Sequence, residues 1–329
     1  NPRKGESGQA LAKDLQKSGQ LLWEHLLTRP VKEILKSARQ ADLILSLDEE
    51  LIHIPWELLY DGATFLCLNF NLGRVVRTRE QGGLPQYRSR ASAARMLILA
   101  NPTSDLEGSY QEGVFIKNQL DRKRKELCVN FKSQQIPTLY VKKNLSDYDI
   151  VHFAGHCEYD SSDPGNTGWE FTDGRFTVQD ILTMGETFTL PALVFSNACY
   201  SARPRVDFIE SDYQQKNYNM ASAFLYSGVR HYLGATRKIE DPVSLVFAKE
   251  FYGQLIAGKS VGEALRLGRL KLVKGYGIGL LHWTSYLLYG DPKFVVFKGK
   301  ALPPLKPGKK FSFSPYKKQI SYASLALIP

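Results

Sequence analysis

Two short segments of the chain hold the residue types that nucleophilic acyl transfer needs. One reads Asp149-Ile150-Val151-His152-Phe153-Ala154-Gly155-His156-Cys157, the other Leu190-Pro191-Ala192-Leu193-Val194-Phe195-Ser196-Asn197-Ala198-Cys199. Each begins with a continuous apolar run, the pattern of a strand buried on both faces. His156 comes just past the first run, and Cys199 just past the second, 43 positions later. Neighbouring strands lie about 4.8 Å apart, so an imidazole and a thiol at two adjacent strand ends can face each other. A thiol attacks well only once a base shifts it toward thiolate. Gly155 permits close approach of backbone to a substrate. Its N–H and that of Cys199 are the expected donors to a developing oxyanion.

Blander roles exist for the same residues. A free cysteine is among the most buried residue types, so Cys199 and Cys157 also fit as structural thiols. His152 lies inside the strand and is read as a packing or bracing side chain. Zinc held by His152, His156, Cys157 and Cys199 is disfavoured, because His-x-x-x-His binds one metal from a helix and this segment reads as strand and turn. The loop from Glu158 to Gly168 reads either as a lid or as solvated surface.

The elements around these segments alternate. Arg95–Ala100, Asp149–Ala154, Leu190–Ser196, Val229–Leu233 and Trp283–Leu288 read as strands. Helices are expected over Gly113–Arg124 and Met220–Ser227, from Asp241-Pro242 to about Ile256, and from the capping box Ser260-Val261-Gly262-Glu263. That order predicts an α/β fold with a mostly parallel sheet flanked by helices, whose chemistry gathers at the carboxyl ends of the strands. A smaller α+β subdomain over residues 1–80 is expected first. In it Leu43–Leu47 and Leu51–Ile54 read as a hairpin around Asp48-Glu49-Glu50. Residues 81–94 read as a linker or exposed loop, 95–298 as the catalytic domain, and 299–329 as a basic Pro-, Lys- and Ser-rich tail.

The two segments resemble the CHAT-type caspase-like cysteine proteases, relatives of caspases and separases. His152-Phe153-Ala154-Gly155-His156 matches the family's histidine motif, and Ser196-Asn197-Ala198-Cys199-Tyr200-Ser201 its cysteine motif. Ile54-Pro55-Trp56-Glu57-Leu58-Leu59, Tyr226–Arg230, Asp241, His282-Trp283 and Tyr289-Gly290-Asp291-Pro292 also match. The resemblance spans about residues 40–297. It implies that His156, rather than His152, is the base and Cys199 the nucleophile. It implies a regulatory endopeptidase that makes limited cuts in a partner protein, controlled by a sensor region or partner, for example in bacterial defence. It also places Asn197 at the S1 pocket, two positions before the nucleophile. The chain departs from the family at Ala235–Glu240, where relatives carry a tryptophan-containing turn. Asp207, Glu240 or Asp241 would wall S1 for a basic P1 residue, and Arg237 would draw an acidic one; the reading favours a basic or neutral P1.

Composition narrows the classes. The chain has 329 residues, 43% hydrophobic and 23% charged, which suits a globular core of ordinary size. Four cysteines are too few for a disulfide scaffold, and a reducing, cytoplasmic setting is expected. No apolar stretch reaches the ~18 residues that span a bilayer, so no membrane partner is expected. The chain starts at Asn1 without an apolar leader, which suggests a piece of a longer protein. The net charge is +10, but five lysines and no acid fall in Ala301–Pro329. Nucleic acid is therefore expected only as an indirect partner, with a basic tail as the simpler reading. No metal or cofactor is expected. The alternatives to a peptidase are a catalytically silent caspase-like interaction module and a basic nucleic-acid-associated domain.

Overall fold

Long apolar runs followed by capped helices fold here into one twisted sheet covered on both sides. The structure, a computed structural model, describes residues 2–38, 40–77, 94–124, 127–160, 162–198, 201–202, 219–237 and 239–297. The expected linker and tail lie almost wholly outside the described residues. The N-terminal elements are α1 (Pro2–Leu26), α2 (Arg29–Ser37), β1 (Asp42–Asp48), α3 (Leu66–Asn69) and β2 (Asn71–Arg77). Next come β3 (Arg95–Ala100), α4 (Glu107–Lys123), β4 (Cys128–Ser133), α5 (Thr138–Asn144) and β5 (Ile150–Ala154). A small antiparallel sheet of β6 (Cys157–Glu158), β7 (Gly168–Phe171) and β8 (Gly174–Thr177) follows. The chain continues through α6 (Val178–Thr187), β9 (Leu193–Asn197), α7 (Met220–Tyr226) and β10 (His231–Ala235). It then forms α8 (Asp241–Ile256), α9 (Val261–Tyr276) and β11 (Tyr286–Tyr289).

The main sheet has eight strands in the order β1-β2-β11-β10-β9-β5-β3-β4. β10, β9, β5, β3 and β4 are parallel. β11 runs antiparallel to β10, and β2 and β1 continue parallel to β11. The sheet is thus mostly parallel and flanked by helices, as expected. The N-terminal strands extend that same sheet, while a separate apolar cluster around Trp23, Leu45 and Trp56 packs α1 and α2 against it. One apolar layer joins Ile98, Phe195, Phe247 and Phe251 beneath α4, α8 and α9; the other joins Leu97, Phe153, Trp169 and Phe224 beneath α6 and α7. Among the described residues no helix is long and apolar enough to cross a membrane.

The helix starts follow the side chains that cap them. Thr177 and Asp180 form a reciprocal capping box at α6. Asn219 Oδ1 accepts the Ser222 N–H at 2.8 Å, and Ser260 Oγ the Glu263 N–H at 3.2 Å. Glu263 turns to Lys259 instead of closing its box. Helix α4 begins six residues earlier than expected. It crosses the sheet at Gly113, where a Cβ would lie 2.5 Å from Ala100 Cβ and 2.7 Å from Phe131. Glycine costs helix propensity, and here it allows a close helix–sheet approach.

The hairpin expected around Asp48-Glu49-Glu50 does not form. β1 pairs in parallel with β2, and residues 49–51 make a short 3₁₀ turn. The cause is Arg74 on β2, which is 1% exposed. Its guanidinium donates to Glu57 Oε1 at 2.8 Å, also to Glu57 Oε2, and to the carbonyls of Ile52 (2.5 Å) and Ile54 (3.1 Å). Those carbonyls are committed to a cation, so the segment wraps over it instead of pairing as a strand.

His231, at the start of β10, stacks on Phe294 with ring centroids 4.1 Å apart. Burial pushes its imidazole down to about 4, against an ordinary 6.5, despite the hydrogen bond to the Ala192 carbonyl. The unfolded chain takes up this proton near pH 6.5 and the folded chain only near 4. Stability is therefore full above pH 6.5 and falls as pH drops through that window, by at most about 3 kcal/mol from this group. Urea unfolding at pH 7 and 4.5 checks it: His231→Phe should flatten that part of the pH dependence, and an unaltered dependence would contradict the assignment.

Candidate active site

The strand order changes direction between β3 and β5, since β4 lies outside β3 while β5 and β9 lie on its other side. Open α/β sheets form their crevice beyond the carboxyl ends at such a point. The loops after β3 and β5 meet there. His156 Nε2 lies 2.9 Å from Asp105 Oδ2. Both side chains are open to solvent, at 39% and 60% exposure, so the pair is reachable by a substrate. The Thr103 hydroxyl donates to Asp105, and that bond first, with the His156 contact next, holds the Asp105 carboxyl below its usual range.

The loop that presents Asp105 is braced. Asn101, at φ 51°, accepts the Leu106 N–H on its side chain at 2.8 Å and the Ser104 and Gln134 N–H groups on its carbonyl. His156 is held from the other side, its carbonyl accepting the Glu170 N–H of β7 at 3.0 Å. Gly155 has a packing reason of its own: a Cβ there would stand 2.8 Å from Phe153 Cζ and 3.0 Å from Pro102 Cδ. Phe153 in turn stacks on Trp169, whose indole N–H donates to Ser196 Oγ on β9 at 2.8 Å. The small sheet therefore grips both strands that carry the two motifs.

Cys199 and Asp207 lie outside the described residues, as does the side chain of Asp241, whose backbone opens α8. What flanks Cys199 is firmly anchored. Ser201 Oγ donates to the Ser196 carbonyl at 2.9 Å and accepts the Ala235 N–H at 3.1 Å; Ala202 N–H donates to the Ala235 carbonyl at 2.8 Å. Tyr232 donates its hydroxyl proton to the Ser201 carbonyl at 2.9 Å. Ala202 can sit this close because β10 offers Gly234, where a Cβ would be 2.9 Å from Ala202 Cβ. In the parallel register Ala154 pairs with Asn197. His156 and Cys199 each follow that rung by two positions.

The expected S1 residues have different surroundings. Asn197 is 7% exposed, and its amide is engaged at both ends: Nδ2 donates to Glu112 Oε1 at 2.7 Å, and Oδ1 accepts the Tyr286 hydroxyl at 2.9 Å. Glu240 is exposed at the N-cap of α8. Arg237 is half-buried beyond β10, and among the described residues it has no acidic partner; burial alone draws its pKa down. His152 sits in the core, edge-on to Phe195 and Tyr252. Cys67 is fully buried and its thiol is pushed up to about 11 by desolvation, whereas Cys128 is exposed. Among the described residues no three metal-binding side chains converge.

Asp105 was not among the residues expected from the sequence. The available signal was positional: an acid in the turn Asn101-Pro102-Thr103-Ser104-Asp105, directly after a buried strand.

The solved structure of the Arg-specific cysteine proteinase gingipain R matches 88% of this chain and 76% of its own, with a TM-score of 0.60 and 13% identity. The complex of the pro- and mature domains from Porphyromonas gingivalis gives 0.55 at 12% identity, covering 86% and 77%. Separase in its complex with securin from Saccharomyces cerevisiae gives 0.48 at 16% identity, over 76% of this chain; the chain spans 15% of that separase. Comparison with curated proteins gives no match. Sheet order and flanking helices thus define a caspase-like α/β fold. The profile of the CHAT domain matches residues 16–291, and the chain belongs to that family.

Proposed function

We propose that the chain is a cysteine endopeptidase that makes limited cuts in a partner protein, with Cys199 as nucleophile and His156 as base. The observation that carries this reading is the Ala154–Asn197 rung, from which both residues are two steps away at adjacent parallel strand ends. With the His156 Nε2 proton donated to Asp105, the lone pair resides on Nδ1, free to take the thiol proton. The thiolate sulfur forms a bond to the scissile carbonyl carbon. The C–N bond then breaks, and the His156 imidazolium gives its proton to the leaving amine. Water, deprotonated by His156, cleaves the thioester and releases the carboxylate and the thiol. The Gly155 and Cys199 N–H groups are the proposed oxyanion donors. This chemistry asks for no metal or cofactor. Family membership supports control by a sensor region or partner protein. At S1, Arg237, which has no acidic partner among the described residues, supports an anionic contact, while Asn197 is committed to buried partners.

The test is labelling by peptidyl chloromethyl ketones with Arg, Leu or Asp at P1. Exposed Cys128 serves as the internal reference, and Cys199→Ala as the control. Labelling of Cys199 should outpace Cys128 by at least about a hundredfold, the advantage of a positioned base. Equal rates at the two thiols would leave an interaction module as the better reading.

A further inference from the structure

We infer that Glu112 is a positioning residue that holds the end of β9 in place for the nucleophile, a role that rests on the peptidase reading above. Glu112 is 1% exposed inside α4, far from any solvent that would stabilise a carboxylate. Its Oε1 accepts from Asn197 Nδ2 at 2.7 Å, and its Oε2 from the Ser244 hydroxyl of α8 at 3.3 Å. His152 Nε2 of β5 stands 2.9 Å from the same Oε1, without an aligned hydrogen bond. Asn197 is tied onward to Tyr286 of β11 at 2.9 Å. One buried carboxylate therefore links α4, α8, β5 and β9, and through Asn197 it reaches β11.

The placement is specific to the site. Asn197 precedes Cys199 by two positions, and His152 precedes His156 by four on the adjacent strand. The reach of Glu112 depends on the close crossing of α4 at Gly113 over Ala100 and Phe131. A buried acid with such partners is costly unless satisfied, and a larger apolar contact would have served the core as well. What the carboxylate adds is a fixed direction for the Asn197 amide, and so for the chain that leaves β9 toward Cys199. Small misplacements of reacting groups lower rates steeply.

The experiment compares wild type with Glu112→Leu and Glu112→Gln, using the same ketones and separating the limiting labelling rate from the half-saturating probe concentration. Amide hydrogen exchange over residues 198–202 is measured in parallel. Glu112→Leu should lower the limiting rate by about 10–100-fold, with half-saturation within about twofold of wild type. Glu112→Gln keeps an acceptor for Asn197 and should stay within about threefold. Exchange over 198–202 should quicken by at least about tenfold in Glu112→Leu alone. If the leucine variant does not fold, Asn197→Ala removes the other end of the same bond and carries the same expectations. A folded leucine variant with wild-type rate and exchange overturns the proposal, as do equal losses in both Glu112 variants. If wild-type Cys199 labels no faster than Cys128, the peptidase reading fails by itself, and the exchange measurement alone then decides the role of Glu112.

Discussion

His156→Ala is expected to slow labelling of Cys199 by about 10²–10⁴-fold, the range for loss of a positioned general base. The fold should survive, because His156 is 39% exposed and its side-chain partner among the described residues is the exposed Asp105. Asp105→Asn should give a smaller loss, since the amide retains a hydrogen-bonding side chain but no longer the carboxylate that favours the imidazolium. The check is the limiting rate of ketone labelling in wild type and both variants. A His156→Ala variant that labels at the wild-type rate would remove His156 from the mechanism, and an Asp105→Asn variant that labels at the wild-type rate would remove Asp105.

Glu57→Ala is expected to destabilise the chain by about 3–5 kcal/mol, because it leaves the buried Arg74 guanidinium without its counter-charge. Arg74 and Glu57 are 1% and 2% exposed, and the Arg74 guanidinium also donates to the carbonyls of Ile52 and Ile54. Burial works against the Arg74 charge, and the Glu57 carboxylate more than offsets that, so the guanidinium is held charged. Burial likewise raises the pKa of the neighbouring Tyr289 hydroxyl. The double variant Glu57→Leu/Arg74→Met should recover most of the loss, as apolar replacement of a buried pair is often close to neutral. Chemical denaturation of the single and double variants measures both. A Glu57→Ala variant within about 1 kcal/mol of wild type would show that the pair is not what holds the segment over β2.

Much of the fold could be read along the chain because its signals are local. Runs such as Met96–Ala100, Val151–Ala154 and Leu193–Ser196 are apolar on both faces and so belong to buried parallel strands. Thr177, Asn219 and Ser260 mark helix starts by accepting N–H groups a few residues away. The positions of His156 beyond β5 and of the cysteine motif beyond β9 follow from the same patterns. The β1 segment reads as half of a hairpin because a local β pattern does not reveal its partner; Arg74, 17 residues past Glu57, decides its pairing with β2. Asp105 meets His156 across 51 positions, and Glu112 meets Asn197 across 85. Neither contact leaves a mark on sequence spacing, for each depends on which strands become neighbours and on how closely α4 crosses them at Gly113. Residue types and local periodicity determined the elements and the motif residues at their ends. Only the tertiary structure decided which charges complete the site, because long-range pairing is set by strand order and packing distance.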